Sequence, residues 1–352
     1  MKELYDIIII GAGPAGSYLA SHLSSEMGNV LLLDKRFDDS NSKKEKPCSG
    51  LVAIPAQHFL KEMLLTNENG LLAIPRELTI RVIDAKHRKL LHQKEKIYNI
   101  NRYVMEQNLL SVVPNHVEIL KNAVFIDCIE MADNLKEVIL KVDGKVKKIY
   151  TKILVGADGA NSRVRKKILL LDSIDKYTGI EWFIRYDTNK VSPYFNIITD
   201  NRLTDYYMWA FPKNGELLIG GIFKNITNPK EIPPLLVDIL KDLKIIEGEI
   251  EIAGMWAHPI LRASKQRELI SDNRNGIYLI GEAAGFICPT SAEGYSYAFS
   301  SALKLAEVLN DKKSKLNDRQ NIRRILRKTA RKKFIYNQFI RRVYMTIFGK
   351  SY

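Results

Sequence analysis

A glycine-rich segment near the N-terminus has the residue types and spacing of a phosphate-binding turn. Gly11, Gly13 and Gly16 follow a strand-like run of four isoleucines and come directly before a helical pattern. The first glycine permits a tight turn, the second lets a pyrophosphate approach the backbone, and the third lets helix and strand pack closely. Pro14 and Ala15 begin the helix, whose N-terminus offers N–H groups and a partial positive charge. The segment therefore predicts dinucleotide binding.

A carboxylate stands at the end of the next predicted strand, 18 residues after Gly16. Asp34 is placed there to accept both ribose hydroxyls of an adenosine, and Lys35 and Arg36 directly after it are included in the predicted cofactor site. The charge of Asp34 would repel a 2′-phosphate, which disfavours NADP at this position. A purely structural glycine turn is the alternative, and the strand, helix and acid in register argue against it.

Two further segments narrow the kind of dinucleotide, and each follows an apolar strand. Their residues are Asp158 and Gly159 in the first, and Gly281, Glu282, Gly285, Pro289, Glu293 and Gly294 in the second. A carboxylate at Glu282 can hold a ribityl hydroxyl. The N-terminus of the helix predicted from Glu293 can face the N1–C2=O edge of a flavin, where its dipole stabilises negative charge. An Asp-Gly pair alone is equally typical of an ordinary turn, so that alternative stays open for the first segment.

The elements that would position these residues alternate along the chain. Residues 4–34 are predicted as a β-α-β unit, 121–155 as a β-meander, and 178–257 as a strand-rich region. A strand within 276–285 then precedes a helix that runs to about residue 309. This order predicts one nucleotide-binding domain built from both ends of the chain, with the strand-rich region inserted between them.

The order and spacing of these motifs resemble a known set. Gly-Ala-Gly-Pro-Ala-Gly (11–16), Gly-Ala-Asp-Gly-Ala-Asn-Ser-Arg-Val-Arg (156–165) and Gly-Glu-Ala-Ala-Gly (281–285) are similar to the FAD-binding motifs of para-hydroxybenzoate-hydroxylase-like flavoproteins. Lys-Pro-Cys-Ser-Gly (46–50) and Tyr-Met-Trp-Ala-Phe-Pro (207–212) resemble segments of the geranylgeranyl reductase family within that superfamily. The chain departs from the family where Glu282 and Ala292 replace the usual Asp and Gly, and where Glu106 ends its Arg-x-x-Phe-Asp segment.

The resemblance implies an α/β fold: a Rossmann-like FAD-binding domain of the para-hydroxybenzoate hydroxylase type with an inserted antiparallel β-sheet substrate domain and a C-terminal helical segment. The expected FAD-binding domain comprises residues 1–75, 97–175 and 270–310. The β-rich substrate domain comprises 76–96 and 176–269, and basic amphipathic helices occupy 311–352.

The resemblance also implies roles for residues that the glycine motifs do not reach. Cys48 would lie beside the isoalloxazine, with Cys48 and Gly50 as catalytic positions and Ser49 and Arg102 among the FAD contacts. A chemically inert cysteine and a surface arginine are the alternatives. Tyr207, Trp209 and Phe211 alternate along one strand and so share one face; by resemblance they line an apolar tunnel for a prenyl chain, whereas without it a core face is favoured.

The predicted function is FAD-dependent reduction of carbon–carbon double bonds in a geranylgeranyl-type isoprenoid lipid, with hydride transferred from N5 of the reduced flavin. His258 is considered as a proton donor, although a structural histidine is favoured. The sequence contains no second glycine-rich β-α-β unit. The expected electron donor is therefore a transiently bound NAD(P)H or a reduced carrier such as ferredoxin.

Two other functions stay open on the same motifs. The first is a flavin-dependent monooxygenase or halogenase, although the Trp-x-Trp-x-Ile-Pro segment of tryptophan halogenases is missing from the sequence. The second is a lipid-binding flavoprotein at the membrane periphery that catalyses no reaction.

The charge distribution bears on location rather than on chemistry. The chain of 352 residues has a formal net charge of +14, and 11 of its 54 Lys and Arg lie in residues 319–352, which contain no Asp or Glu. This basic, amphipathic tail predicts either docking on the FAD domain or adsorption to anionic lipids, and nucleic acid is disfavoured as a partner. Three scattered cysteines and the lack of a long apolar stretch predict a cytoplasmic protein, with the tail reaching the inner membrane face.

Overall fold

The computed structural model of the protein describes residues 1–36, 48–87, 89–169, 174–200, 202–224, 228–263 and 276–311. Lys46 and Pro47 of the predicted cysteine segment lie outside these residues, and so does the basic tail. The described chain divides into two compact units. The first holds residues 1–36, 106–169, 174–175, 261–263 and 276–311, and the second holds 48–87, 89–105, 176–200, 202–224 and 228–260.

The first unit is built on a mixed sheet. Its described strands are β1 (Leu4–Ile10), β2 (Val30–Leu33), β6 (Val117–Leu120), β7 (Ala123–Glu130), β8 (Lys136–Val142), β9 (Lys145–Gly156) and β15 (Ile277–Leu279). The order is β6-β2-β1-β9-β8-β7, and β15 also pairs with β9. The pairs among β6, β2, β1, β9 and β15 are parallel, whereas β7, β8 and β9 form the predicted antiparallel meander.

Helices cover both faces of this sheet, which explains the unbroken isoleucine run of β1. They are α1 (Pro14–Ser21), α5 (Arg163–Leu169) and α7 (Tyr295–Asn310), together with part of α4 (Arg102–Ser111). Ile7 and Ile9 pack into one apolar core with α1 and α7, and Ile8 and Ile10 pack into a second core on the other face. A parallel strand buried on both faces needs apolar residues at every position.

The second unit is built on a larger sheet that is mostly antiparallel. Its described strands are β3 (Leu51–Val52), β4 (Leu72–Asp84), β5 (Lys89–Ile100), β10 (Asp175–Arg185), β11 (Tyr194–Thr199), β12 (Met208–Lys213), β13 (Glu216–Phe223) and β14 (Glu251–Arg262). The order is β14-β10-β13-β12-β11-β4-β5-β3, with β11 and β4 paired in parallel. The helices α2 (Ile54–Gln57), α3 (Lys61–Thr66) and α6 (Ile232–Asp242) belong to this unit.

The domain boundaries differ from those expected from the sequence. Residues 48–75 and 97–105 were assigned to the FAD-binding domain, but they belong to the second unit. The reason is that β4 and β5, of 13 and 12 residues, form one hairpin from residue 72 to residue 100, and β3 pairs with β5 in the same sheet. Residues 261–263 return to the first unit at the end of β14. Among the described helices, none has both the length and the hydropathy needed to cross a bilayer.

Candidate functional site

The predicted phosphate-binding turn joins β1 to α1. Gly11 has φ +103°, and a Cβ there would lie 2.6 Å from the carbonyl oxygen of Ala157. A Cβ on Gly16 would lie 1.9 Å from the carbonyl oxygen of Gly11. Both positions therefore exclude any side chain, which fits the tight turn predicted at Gly11 and the close packing of helix and strand predicted at Gly16. Gly13 is the N-cap of α1 and Pro14 its first residue, so the first N–H groups of the helix have no acceptor within it.

Asp34 lies at the carboxyl end of β2, and its carboxylate is already hydrogen-bonded within the protein. Its Oδ2 accepts from the Ala12 backbone N–H at 2.8 Å and from Arg36 Nη2 at 3.1 Å, and its Oδ1 accepts from the N–H and Nε of Arg36 at 2.9 and 3.0 Å. A carboxylate has about four lone-pair sites. Asp34 therefore fixes the glycine turn and orients Arg36, and accepting both ribose hydroxyls requires Arg36 to move aside.

Arg36 joins Asp34 to a second carboxylate that the sequence analysis noted only as a departure from the family. Arg36 Nη1 donates to Glu106 on α4, and Nη2 donates to the Ala12 carbonyl at 2.9 Å. Glu106 is 3% exposed. Burial lowers the pKa of the Arg36 guanidinium, but the charges of Glu106 and Asp34 raise it by more, so the net shift is upward. This ion-pair cluster rigidifies the end of the glycine turn.

Asp158 lies after β9, and the following residues turn into α5. Its Oδ2 accepts from the Arg163 backbone N–H at 2.7 Å, which supports the ordinary-turn alternative for this oxygen. Its Oδ1 is buried and has no hydrogen-bond partner among the described residues. Burial raises the pKa of the carboxyl group although several hydrogen bonds oppose it. A buried acceptor of this kind fits a site that a ligand hydroxyl completes. Gly159 beside it has φ +74°.

The second predicted segment connects β15 to α7. Glu282 Oε1 accepts from the Leu261 backbone N–H at 3.1 Å. The Glu293 carboxylate accepts from the backbone N–H and hydroxyl of Ser296, both at 2.6 Å, and so caps the first turn of α7. Gly281 lies close to Ala15 of α1, since a Cβ on it would be 3.0 Å from the Ala15 methyl group.

Arg165 is a site residue for which the sequence suggested no role. It is buried, and its Nη1 donates to the Ala283 carbonyl at 3.0 Å while its Nη2 donates to the Ala160 carbonyl at 2.9 Å. It therefore ties the Asp158 turn to the segment after β15. The structure brings three predicted motifs together within the first unit: the β1–α1 turn, the Asp158 turn and the segment that begins at Gly281. Gly285, in the left-handed region at φ +78°, ends the turn after Gly281, while Lys35, Pro289 and Gly294 belong to the same unit.

The cysteine segment belongs to the second unit, where it lines a cavity of about 470 Å³. The cavity is lined by polar groups at Cys48, Arg102, Glu181 and Lys213 and by apolar groups that include Phe183 and Trp256. Lys213 Nζ donates to the carbonyl oxygens of Ser49 and Ile100, both at 2.8 Å. Gly50 has φ +67°, and a Cβ there would lie 2.2 Å from the Ile100 oxygen. The backbone after Cys48 is thus held in a position that requires glycine.

Ser49 and Trp209 both contact the carboxyl group of Glu181, for which the sequence predicts no role. The Ser49 hydroxyl donates to Glu181 Oε2 at 2.6 Å, and Trp209 Nε1 donates to the same oxygen at 3.0 Å. The signal was present in β10, where one glutamate stands among Gly, Ile, Trp and Phe residues (179–184). Glu181 and Phe183 lie on one face of that strand, and Ile180 and Trp182 pack into the core on the other.

The predicted aromatic strand is only partly as expected. Trp209 and Phe211 lie on β12 and are buried, and Tyr207 comes immediately before the strand. Phe211 packs against Phe195 with ring centroids 5.6 Å apart, and Tyr207 lies 5.9 Å from Trp209. Tyr207, Trp209 and Phe211 are not among the residues that line this cavity. Their contacts favour the core-face alternative for Phe211, and their role as a prenyl tunnel stays a prediction.

His258 is half-buried in the second unit, and its Nδ1 atom is buried. Burial and then the charge of Arg102 lower its pKa from 6.5 to about 4. Its Nδ1 has no hydrogen-bond partner among the described residues. A neutral imidazole at neutral pH holds no readily released proton, which agrees with the structural role that the sequence favours.

The fold is that of FAD-dependent flavoproteins, and the expectation of such a fold is confirmed. It matches a geranylgeranyl bacteriochlorophyll reductase-like protein from Thermoplasma acidophilum with a TM-score of 0.77 at 17% identity, over 97% of this chain and 87% of that one. It also matches the myxobacterial FAD-dependent halogenase CndH with a TM-score of 0.72 at 18% identity, over 96% of this chain and 82% of that one. The match to p-nitrophenol 4-monooxygenase PnpA from Pseudomonas putida DLL-E4 has a TM-score of 0.71 at 16% identity, over 98% of this chain and 90% of that one.

Sequence comparison assigns the chain to a family. No family model matches it. Protein CbrA of Escherichia coli O6:H1 is 33% identical over 321 residues, which cover 90% of this chain and 84% of CbrA. Protein CbrA of Shigella sonnei is likewise 33% identical over 321 residues, with 90% and 87% covered. The chain belongs to the CbrA family.

Proposed function

We propose that this chain is an FAD-dependent oxidoreductase that reduces carbon–carbon double bonds of an isoprenoid lipid. FAD binding is supported by the β1–α1 turn, whose two glycines exclude any Cβ, and by the bare buried oxygen of Asp158. When bound and reduced, FAD supplies a hydride from N5. The electrons come from NAD(P)H or from a reduced carrier such as ferredoxin.

The cavity in the second unit is the observation that favours an amphipathic lipid substrate. Its lining combines the apolar side chains of Phe183, Leu218, Met255 and Trp256 with polar side chains that include Cys48, Arg102, Glu181 and Lys213. A cavity of about 470 Å³ is within the range of small-ligand sites. The apolar side chains suit a hydrocarbon chain, and the polar side chains suit a reacting centre that needs a proton. The likeness to a geranylgeranyl reductase-like structure supports the same substrate class.

The decisive test is an anaerobic turnover experiment. The protein is loaded with FAD, reduced with dithionite and mixed with geranylgeranylated lipids, and the products are weighed by mass spectrometry. We expect oxidation of the flavin together with products that gain two hydrogens for each reduced bond. If no prenyl lipid gains mass or oxidises the flavin, the reductase proposal is wrong and a lipid-binding flavoprotein without turnover is favoured.

A flavin monooxygenase or halogenase is the second candidate, because proteins of both kinds share this fold. Aerobic assays separate these from a reductase. A monooxygenase consumes oxygen and hydroxylates its substrate, and a halogenase requires halide. The Cys48→Ala variant tests the role that the family resemblance implies for this thiol: full turnover in that variant would exclude a chemical role for Cys48.

The basic tail is proposed to hold the enzyme at an anionic membrane surface. Residues 319–352 carry 11 Lys and Arg and no acid, and each basic residue near such a surface contributes about 1 kcal/mol. Flotation with vesicles of phosphatidylglycerol, compared with neutral phosphatidylcholine vesicles, measures this binding. The proposal requires binding to the anionic vesicles that is lost when the chain ends at residue 311.

A further inference from the structure

Glu181 is a carboxyl group enclosed in the second unit at the wall of the cavity. It is 3% exposed and lies on β10. Ile180 and Trp182 on either side pack into the apolar core on the opposite face of the sheet. An acidic residue in such a strand loses most of its hydration, and this cost is tolerated where the group is hydrogen-bonded, neutral or required for function.

The two oxygens of Glu181 have different surroundings. Oε2 accepts from the Ser49 hydroxyl at 2.6 Å and from Trp209 Nε1 at 3.0 Å. Oε1 is buried and has no hydrogen-bond partner in the described part of the chain. Glu181 lines the cavity, whereas its partners Ser49 and Trp209 are not among the lining residues. This asymmetry fits a carboxylic acid that uses Oε2 as the carbonyl oxygen and carries its proton on Oε1.

Burial shifts the pKa values of Glu181 and His258 in opposite directions. Burial raises the pKa of Glu181, and Ser49, Lys213 and Trp209 offset only part of the rise. Burial, and then the charge of Arg102, lower the pKa of His258 to about 4. Both groups are driven towards neutrality, but a neutral carboxyl group holds a transferable proton and a neutral imidazole does not. Within this unit, Glu181 is therefore better suited than His258 to act as an acid.

We propose that Glu181 is the proton donor of the double-bond reduction and holds its proton on Oε1 towards a substrate in the cavity. This inference rests on the proposed function. One alkene carbon receives the hydride from reduced FAD. The electron pair of the π bond forms a new C–H bond between the other carbon and the proton of Glu181. The O–H bonding pair stays on the carboxylate, which regains a proton from water.

Several charged and titratable groups face Glu181 and set its pH dependence. Lys213 lowers the pKa of Glu181 by its charge. Cys48, Arg102 and Glu216 line the same cavity. His258 contacts β10 at Gly179, two residues before Glu181, since a Cβ on Gly179 would be 3.1 Å from the His258 Nε2 atom. With a raised pKa, Glu181 keeps its proton above the usual carboxyl range. The rate of proton transfer should fall as pH rises through that pKa.

The variant that tests this role is Glu181→Gln, which keeps the size of the side chain but has no acidic proton. Reduced, FAD-loaded protein is mixed anaerobically with geranylgeranylated lipid, and flavin oxidation is followed in a single turnover. We expect the rate to fall roughly 10²- to 10⁴-fold, while FAD content and reduction by dithionite stay unchanged. Glu251→Gln is the matched control, because Glu251 is an exposed carboxylate on the same sheet, paired with Arg185 at 2.7 Å. Its rate should equal that of the wild type.

The outcomes separate this inference from the proposed function. If no prenyl lipid oxidises the reduced flavin of the wild-type protein, both the proposed function and the role of Glu181 are wrong. If the wild type is active and the rate of flavin oxidation in Glu181→Gln is within about threefold of the wild-type rate, only the role of Glu181 is wrong. Should the variant fail to fold, the wild type still decides, because a rate of flavin oxidation that is constant with pH would exclude a titrating donor.

Infrared spectroscopy adds a readout that is independent of turnover. At neutral pH, the difference spectrum between the wild type and Glu181→Gln should contain the C=O stretch of one protonated carboxylic acid. A difference spectrum between the two proteins that contains only ionised carboxylate would show that Glu181 carries no proton, and would overturn the proposal.

Discussion

The two units hold their chemistry in different ways. In the first, the site is made mainly from backbone: a turn in which Gly11 and Gly16 have no room for a Cβ, and the beginning of α1. In the second, it is made from buried side chains, with Glu181 bonded to Ser49 and Trp209 beside a cavity. A backbone site depends on local geometry, so it is written in short motifs. A side-chain site depends on strands that lie far apart in sequence, and its chemical properties come from the desolvation of its polar groups.

The largest effect is expected where the backbone site is closed by an added methyl group. In Gly16→Ala, the new Cβ would lie 1.9 Å from the Gly11 carbonyl oxygen, so the turn must open. We expect FAD affinity to fall on the order of 10³-fold, equivalent to about 4 kcal/mol, as measured by flavin fluorescence titration. Gly144→Ala is the control for backbone strain without a clash: Gly144 lies in the turn between β8 and β9 with φ +81°, and a Cβ there has nothing within 4 Å, so the variant should lose some stability but keep its FAD affinity. Equal FAD affinity in the Gly16 variant would show that the turn does not bind the dinucleotide.

The next effect concerns the ion-pair cluster that supports the glycine turn. Arg36→Ala removes the guanidinium that donates to the 3%-exposed carboxylate of Glu106. Breaking a buried pair in this way should lower the free energy of unfolding by roughly 3 kcal/mol, measured by urea denaturation. Lys152→Ala, which removes an exposed pair with Asp6, should cost within about 0.5 kcal/mol. The double variant Arg36→Ala, Glu106→Gln should recover much of the lost free energy of unfolding. No recovery would contradict the conclusion that the Arg36–Glu106 ion pair is the source of the loss.

The same contrast explains what the sequence could predict. The β-α-β unit and the meander were predictable, because glycine turns and apolar periodicity are local signals. The hairpin of β4 and β5 was cut at residue 76 because its length is determined by pairing within the second sheet. Glu181 was missed for the same reason: Ser49, at a distance of 132 residues in sequence, becomes its partner only after folding.

His258 allows the burial of side chains in the second unit to be tested by pH. Its pKa falls from 6.5 to about 4 on folding. Between these values the unfolded chain binds the extra proton, so His258 contributes stability above pH 6.5 that is lost as pH falls towards 4. We expect a loss of roughly 2 kcal/mol over this window relative to His258→Gln, measured by urea denaturation at each pH. The same substitution at exposed His58 controls for the loss of an imidazole. Parallel curves for the wild type and His258→Gln would contradict a buried neutral ring.

The smallest effect tests whether the Ser49 hydroxyl binds the cofactor or positions Glu181. The family resemblance places Ser49 at the cofactor, whereas its hydroxyl donates to Glu181 Oε2 at 2.6 Å. Ser49→Ala should therefore leave FAD affinity unchanged and lower the free energy of unfolding by about 1 kcal/mol, the usual net value of one hydrogen bond.

Because the Ser49 hydrogen bond lowers the pKa of Glu181, its removal should also move the fall in flavin-oxidation rate to higher pH. Ser111→Ala, at an exposed serine of α4, should change stability by less than about 0.5 kcal/mol. If Ser49→Ala loses FAD but keeps its stability and pH profile, then Ser49 belongs to the cofactor. The backbone site would then depend on a side chain after all, and the contrast between the two units would be weaker than the hydrogen bonds indicate.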